Sequence, residues 1–369
     1  MMKAMRRGVR WPPDPWRGGR RPIPLRPQPW VSNGTAAAVT YDRTVAWLPT
    51  ACARQVTVTK IICGVDVSSE NLDARVGPHG PSLRVERNAA GIEQLAAFCR
   101  EHAVELAVME ATGGYEKLAF GLLWAAGIPC AVVNPRSVRR FAEGMGLLEK
   151  TDRIDAGLIA WHAEVKRIAA CPPPSEAQER LTALVGRLRQ LTELQVMQIN
   201  QRRLQTDVAV LASIDAVIAL VRGQIREFER DIAKLIAADK LWYKLDRTFR
   251  SIKGVADRTV ARLMADLPEI GLITNKAIAK LVGLAPIAND SGKSKGKRRV
   301  RGGRATVRSI LFLVAEIVRR YDPDFAAFHR KLTQAGKAKK AVRVALARKL
   351  LVRLNAKARD ARKELAFAA

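Results

Sequence analysis

The apolar positions of this chain change period along its length, and the changes divide it. From Ile61 to Val67 the run Ile-Ile-Cys-Gly-Val-Asp-Val is short and apolar with an acid near its end, the pattern of a buried strand. Leu72–Val76 and Ser82–Val85 follow as two more short strands after turns. Helical spacing takes over between Asn88 and His102, with Ile92, Leu95, Ala96 and Cys99 on one face. Val104–Met109 is a strand closed by Glu110, Tyr115–Ala126 a helix, Pro129–Val133 a strand and Asp152–Val165 a helix. Past the linker Pro172-Pro173-Pro174 the period stays helical. Leu181, Leu184, Leu188, Leu191 and Leu194 form one stripe; Leu220, Ile225, Phe228, Ile232 and Leu235 form another. Two long antiparallel helices, or a coiled-coil arm, would explain them.

Three strands, helix, strand, helix, strand, helix is the run expected of a mixed α/β sheet of the RNase H type. The predicted organisation is an α/β RNase H-like domain over 59–170, a helical or coiled-coil arm over 175–243 and a mostly α-helical domain over 248–335. A basic helical tail over 336–369 completes it, with Val342, Leu346, Leu350 and Leu354 along one face of a helix running from Phe328 to Lys363. Residues 1–58 read as a disordered basic extension: Met1–Trp30 is rich in Arg, Pro and Gly and lacks periodicity. Such a segment is either a basic arm on nucleic acid or a non-functional extension, and the second reading is favoured.

Charge then separates the domains by role. The chain has 64 Lys and Arg against 35 Asp and Glu, a formal net charge of +29, which makes nucleic acid the default partner. Residues 61–160 carry ten basic and thirteen acidic side chains, whereas residues 291–310 carry eight basic and no acidic ones. The grip on phosphates therefore belongs to the carboxy-terminal domain. The five cysteines show no CxxC pair, which argues against a disulfide framework or zinc site and fits a reducing, cytoplasmic setting. The longest uncharged apolar stretch, Leu118–Val133, contains Gly127 and Pro129 and is shorter than the roughly 20 residues of a membrane helix, so no membrane partner is expected.

Four acids stand where chemistry would want them. Asp66 ends the first strand, Glu110 ends the fourth, and Asp152 and Asp155 share one face of a helix. Each alone could be a strand-end or helix-capping residue. Converging together they would repel unless a cation lay between them, and oxygen-only ligands suit Mg²⁺ or Mn²⁺. Farther on, Ser251-Ile252-Lys253-Gly254-Val255-Ala256-Asp257-Arg258-Thr259-Val260-Ala261 resembles a helix–hairpin–helix, whose glycine turn brings backbone N–H groups to a phosphate. Ala256 stands where a second glycine is usual, and a plain helix–turn–helix corner is the alternative. Lys253 and Gly254 are its candidate phosphate contacts.

Gly64-Val65-Asp66-Val67-Ser68, Met109-Glu110-Ala111-Thr112-Gly113 and Lys150-Thr151-Asp152-Arg153-Ile154-Asp155-Ala156 together resemble the DEDD transposases of bacterial insertion sequences. The amino-terminal domain of that family is similar to the Holliday-junction resolvase RuvC. Asn134-Pro135 with Val138 and Phe141 fits the same pattern. Leu281-Val282-Gly283-Leu284-Ala285-Pro286, then Ser291-Gly292 and a basic glycine-containing loop, resemble the family's second domain, in which the serine belongs to the catalytic set. The resemblance implies Asp66, Glu110, Asp152, Asp155 and Ser291 as catalytic residues. It implies DNA as substrate, a structured guide RNA encoded by the element, and a homo-oligomer such as a dimer or tetramer. The basic loop and the helix after it supply the expected phosphate contacts: Lys293, Lys295, Lys297, Arg298, Arg299, Arg301, Arg304 and Arg308. Arg304 departs from the pattern, since a small polar residue is more usual there. No histidine lies near Ser291 in sequence, which leaves its general base open. The alternatives are a metal-dependent RNase H-like nuclease or resolvase that needs the four acids but not Ser291, and a basic nucleic-acid-binding scaffold that needs neither.

Overall fold

The computed structural model describes residues 60–147, 152–292 and 294–367, with the backbone only for Asp152, Arg153, Ile154 and Lys295. The extension predicted over 1–58 and Lys293 lie outside the described residues.

Five strands form the first sheet: β1 (Ile62–Val67), β2 (Asn71–Val76), β3 (Ser82–Glu86), β4 (Leu106–Glu110) and β5 (Cys130–Val133). Their spatial order is β3-β2-β1-β4-β5; β1, β2 and β3 form an antiparallel meander, and β4 and β5 run parallel to β1. This is the mixed sheet that the element order predicted. Alternation along the strands sorts their side chains into two cores. Cys63, Val65 and Val67 of β1, with Ala107 and Met109 of β4, pack under α1 (Ala89–Glu101) and α2 (Glu116–Ala125). Ile62, Leu106, Val108, Ala131 and Val133 pack on the other face against α3 (Pro135–Gly144) and α4 (Asp152–Lys166).

Gly64 lies on that second face, and nothing larger fits there. A Cβ at this position would stand 2.0 Å from the Ala156 carbonyl oxygen and 2.6 Å from the Ala160 nitrogen. Helix α4 thus rests on β1 backbone to backbone, with the small side chains of Ala156, Ala160 and Ala163 buried beneath it. Farther along α4, buried His162 meets Ser137 of α3 at 3.0 Å through Nε2, and Lys166 donates to the same hydroxyl at 3.0 Å. The ring's other nitrogen, Nδ1, is buried without a hydrogen-bond partner. Burial first, and then the Lys166 charge, hold the imidazole pKa below its ordinary value.

The remaining described helices share one core. α5 (Glu176–Arg202) and α6 (Val208–Ala238) are joined by a short turn and form an antiparallel hairpin. Ser175 caps α5 by accepting from the Gln178 nitrogen at 3.2 Å, Asp207 caps α6 by accepting from the Val210 nitrogen at 2.9 Å, and Arg202 binds Asp215 through two bonds of 2.6 and 2.9 Å near the tip. The buried row of α6 is Ile218, Val221, Ile225, Ile232 and Ile236. Leu220, expected in that stripe, sits about 100° round the helix from Val221 and is 64% exposed. Among the described residues α6 is the one helix long and apolar enough to cross a membrane, by length and composition alone. The Leu118–Val133 stretch considered above missed it because α6 is interrupted by charges.

α7 (Lys240–Arg250), α8 (Asp257–Asp266), α9 (Asn275–Val282), the two-residue strands β6 (Asp290–Ser291) and β7 (Ser294–Lys295), α10 (Ala305–Tyr321), α11 (Pro323–Gln334) and α12 (Lys339–Phe367) complete the chain. The helix expected from Phe328 to Lys363 is two helices. Gly336, at φ +68°, turns the chain between α11 and α12, a conformation that favours glycine. The segment set apart as a tail packs as a core helix, with Leu346, Leu350, Leu351 and Leu354 fully buried beside Phe249, Leu263 and Leu311. Fully buried Asn355 accepts from the Gly271 nitrogen at 2.8 Å and donates to the Ile273 carbonyl and Asn275 Oδ1 at 3.0 and 2.8 Å. Much of the tail's positive charge is engaged by the protein. Arg353 pairs with Asp322 and Asp324, Lys349 donates to the Asp324 carbonyl, and Arg359 and Arg362 donate to the carbonyls of Ile273 and Ile270.

The Gly64 contact sets a test. Gly64→Ala inserts a methyl group where main-chain atoms already stand, and overpacking of this kind costs about 1–3 kcal/mol. The expected outcome is a lower urea midpoint for the amino-terminal domain, read by the fluorescence of Trp124 and Trp161. An unchanged midpoint would mean that α4 does not lean on β1.

Candidate functional site

The carboxylate edge follows from the sheet. Val65 pairs with Met109 in the parallel β1–β4 ladder, so Asp66 and Glu110 are the next residues on neighbouring strands. Both continue the alternation of Ile62 and Gly64, and of Leu106 and Val108, so both lie on the face that α4 covers. Asp155 lies in the first turn of α4, directly before the Ala156 that meets Gly64. Asp66, Glu110 and Asp155 are each half-buried. Asp152 opens α4, and its side chain lies outside the described residues.

Sequence reasoning passed over Asp73. It sits directly opposite Asp66 in the antiparallel β1–β2 ladder, is 8% exposed and pairs with Arg84 at 3.6 Å. The signal was available: with Leu72 and Ala74 turned to the α1 core, Asp73 must face the other way. The loop after Glu110 is folded by a carboxylate of its own, since Glu116 accepts from the nitrogens of Thr112 and Gly114 at 3.0 and 2.9 Å.

The donors at this edge are all oxygens, which suits Mg²⁺ or Mn²⁺ in kind. Among the described residues no group of three or more His, Cys, Asp or Glu side chains is placed to hold a metal ion. A complete set would need Asp152 or a movement of the side chains described.

The serine lies in a different element set. Ser291 is exposed in β6, paired with Ser294 of β7, and Gly292 turns the chain at φ +53°. The base of this loop is fixed by close main-chain contact. A Cβ on Gly303 would stand 2.4 Å from the Gly283 nitrogen, and one on Gly283 would stand 2.1 Å from the Gly302 carbonyl. Arg304 and Arg308, both expected on phosphate, reinforce the same base. Arg304 forms a two-pronged ion pair with Glu269 and donates to the Asp266 carbonyl at 2.9 Å. Arg308 donates to the Val282 carbonyl at 3.2 Å and to the Gly302 carbonyl. Lys297, Arg298, Arg299 and Arg301 stay exposed, with Arg298 reaching Asp290 at only 3.8 Å. Lys293 and the side chain of Lys295 lie outside the described residues. In the turn between α7 and α8, Lys253 is exposed and Gly254, at φ +98°, packs closely on α10: a Cβ there would stand 3.1 Å from Ile317 and from the Val318 nitrogen.

Residues 63–206 match a protein family described as "Transposase", and residues 246–330 match a second described as "Transposase IS116/IS110/IS902 family". The chain belongs to this transposase family. The first match spans the carboxylate edge and the second the serine loop, and the transposase is accordingly a DNA recombinase. It is similar to the pilin gene-inverting protein of Moraxella lacunata, with 29% identity over 80% of this chain and 94% of that relative. The protein of the same name from Moraxella bovis is 28% identical over the same shares. Among solved structures, Thermus thermophilus RuvC in complex with a Holliday junction substrate covers 30% of this chain and 99% of its own at 14% identity, with a TM-score of 0.24. The fold of the transposase rests instead on its observed strand order.

A phosphate contact and a structural strut respond differently to salt. Arg304→Ala is expected to lower the melting temperature of the transposase while leaving the slope of log affinity against log salt for DNA unchanged. A slope reduced by about one phosphate contact, with no change in melting temperature, would return Arg304 to the binding surface.

Proposed function

We propose that the transposase moves an insertion sequence by cutting and rejoining DNA through a covalent link to Ser291. In this reading Asp66, Glu110, Asp152 and Asp155 hold a divalent Mg²⁺ or Mn²⁺ ion. The observation that carries it is the pairing, in one chain, of a carboxylate-bearing sheet edge with an exposed serine at the turn of a basic loop. The register of β1 and β4 and the Gly64 contact support the first half. The locked loop base with free Lys297, Arg299 and Arg301 at its exposed part supports the second.

In the covalent step the Ser291 Oγ attacks phosphorus, forming an Oγ–P bond as the P–O3′ bond breaks. The hydroxyl proton passes to a base, and the departing 3′ oxygen takes a proton from a general acid or from water to leave as a hydroxyl. The resulting 5′-phosphoserine keeps the energy of the broken ester for attack by another 3′-hydroxyl. Exposed cations around the turn would hold the flanking phosphates and offset the charge that builds on phosphorus. The metal, when bound, supplies Lewis-acid stabilisation of phosphate oxygens. Asp66 and Glu110 would hold it from rigid strand ends, and Asp155 from a helix fixed against one of those strands. The Ser251–Asp257 turn, read as a helix–hairpin–helix, would add sequence-independent contacts through Lys253 and the Gly254 backbone. A structured RNA from the element, as reader of the target sequence, belongs to the same proposal.

Trapping on supercoiled donor DNA with Mg²⁺ and the element's flanking transcript tests this reading. An adduct between protein and DNA is expected, lost in Ser291→Ala and reduced at least about a hundredfold in Asp155→Asn. Cleavage without an adduct that survives Ser291→Ala would leave a carboxylate nuclease in place of the serine recombinase.

Self-association through the arm is part of the proposal. Its tip exposes Leu204 at 83% and Val208 at 80%, and α6 exposes Leu220 at 64% farther along, apolar surface that a second copy of the same hairpin would cover. Leu220→Glu is expected to shift the sedimenting species to a smaller one; an unchanged coefficient would remove the arm from the interface.

A further inference from the structure

One cationic cavity has no part in the chemistry proposed above. It measures about 330 Å³, lies between α10, α11 and α12, and is lined by Glu316, His329, Thr333, Lys337, Lys339 and Arg343, with Val342 at its wall.

Its electrostatics are inverted relative to an ordinary helix start. α12 begins at Lys339 and carries no acid in its first turn, although the N-terminus of a long helix bears partial positive charge. Lys337, Lys339 and Lys340 crowd that positive end, an arrangement that is repulsive until a negative group sits among them. One turn farther on, Arg343 is held with its guanidinium 4.2 Å over the Phe312 ring, and its Nε is buried without a hydrogen-bond partner. The one acid in the lining, Glu316, is engaged by Arg319, whose Nε donates at 2.9 Å and whose terminal nitrogen bonds the same oxygen. That pairing, more than the neighbouring Arg343 and His329, keeps the Glu316 carboxyl below the usual carboxylate range. Glu316 is therefore paired chiefly within its own helix, with Arg343 a lesser neighbour, and leaves Lys337 and Lys339 with no other acid in the lining.

We propose that this cavity binds a phosphodiester of a nucleic-acid strand, as an anchoring point built from residues distinct from those of the serine loop. The proposal rests on the transposase reading. Two ammonium groups and the first backbone N–H groups of α12 supply donors of the kind that hold phosphate at a helix start. Arg343, already fixed on a ring, loses little freedom on forming a charged pair. The cavity's polar groups carry no pattern for a base edge, so the contact would be independent of sequence.

The test measures binding of the full chain to labelled duplex DNA, single-stranded DNA and the element's RNA across a range of salt. Lys337→Gln with Lys339→Gln is compared with a charge-matched control, Lys234→Gln with Lys240→Gln, on the exposed part of the arm and its neighbour. The cavity variant is expected to bind at least one of these strands roughly tenfold more weakly. Its log–log salt slope should fall by about 0.7 to 0.9, one phosphate's worth, while the control stays near wild type. Arg343→Gln should weaken the same strand, and circular dichroism should show all variants folded. The strand that responds identifies the bound partner, DNA or RNA. Equal losses in cavity and control variants, or none in either, would overturn the assignment. So would pyrophosphate raising the melting temperature through Lys337 and Lys339 while strand affinity stays unchanged, since the cavity would then serve a free anion. Failure of the wild-type chain to bind any nucleic acid would instead sink the transposase reading itself.

Discussion

The amino-terminal domain depends on one place where two backbones touch. Because Gly64 has no side chain, α4 can settle on β1 at main-chain distance, and the whole second face of the sheet is organised around that approach. Strand alternation alone would put Asp66 and Glu110 on one face. It would not say what covers that face or how close the cover lies. Glycine at one position and alanines at Ala156 and Ala160 decide that a helix bearing aspartates at its start comes nearly as near as a neighbouring strand. A bulkier pair would keep the same topology and push Asp155 outward by the width of a side chain.

The carboxy-terminal half makes a different use of charge. A surplus of Lys and Arg on a helix suggests a surface that follows phosphates, yet most of the long basic side chains on the far part of α12 end on carbonyls, carboxylates or rings of the same domain. The same holds for Arg304 and Arg308 at the base of the serine loop. Net charge therefore overstates the free cationic surface. Among the described residues of this half, the exposed run Lys297–Arg301 and the start of α12, beside Lys253 in the α7–α8 turn, are left for a polyanion.

Much of the fold was legible because the strands and helices of the first domain obey their periods. The succession of strands and helices, the positions of Asp66 and Glu110 near strand ends and the helix bearing Asp152 and Asp155 all follow from alternation and spacing. Asp73 was legible in principle and overlooked, because an acid in mid-strand looks like a solvent residue until the opposite face is assigned to a core. In the helical half periodicity still found the helices but misjudged their roles. Leu220 stands five residues before Ile225, about 140° round the helix, and so faces out while Ile218 and Val221 take the buried row. The break at Gly336 was hidden inside a basic, alanine-rich run that reads as continuous helix. The partners of Arg304 and Asn355 lie dozens of residues away, as does the Val282 carbonyl that Arg308 reaches, and no local pattern encodes them.

The main-chain clasp between Gly283 and Gly302–Gly303 has an implication for how such a loop can vary. Both ends of the serine hairpin are pinned to the end of α9, so the segment between them behaves as a cassette seated in a fixed frame. Its tip can be lengthened, shortened or recharged without any helix having to repack. The clasp residues cannot drift independently, because each leaves room for the other's backbone. Diversity in the loop and rigidity in its hinges are thus separable traits. A lineage could retune the way this turn meets a substrate while inheriting the rest of the domain unchanged.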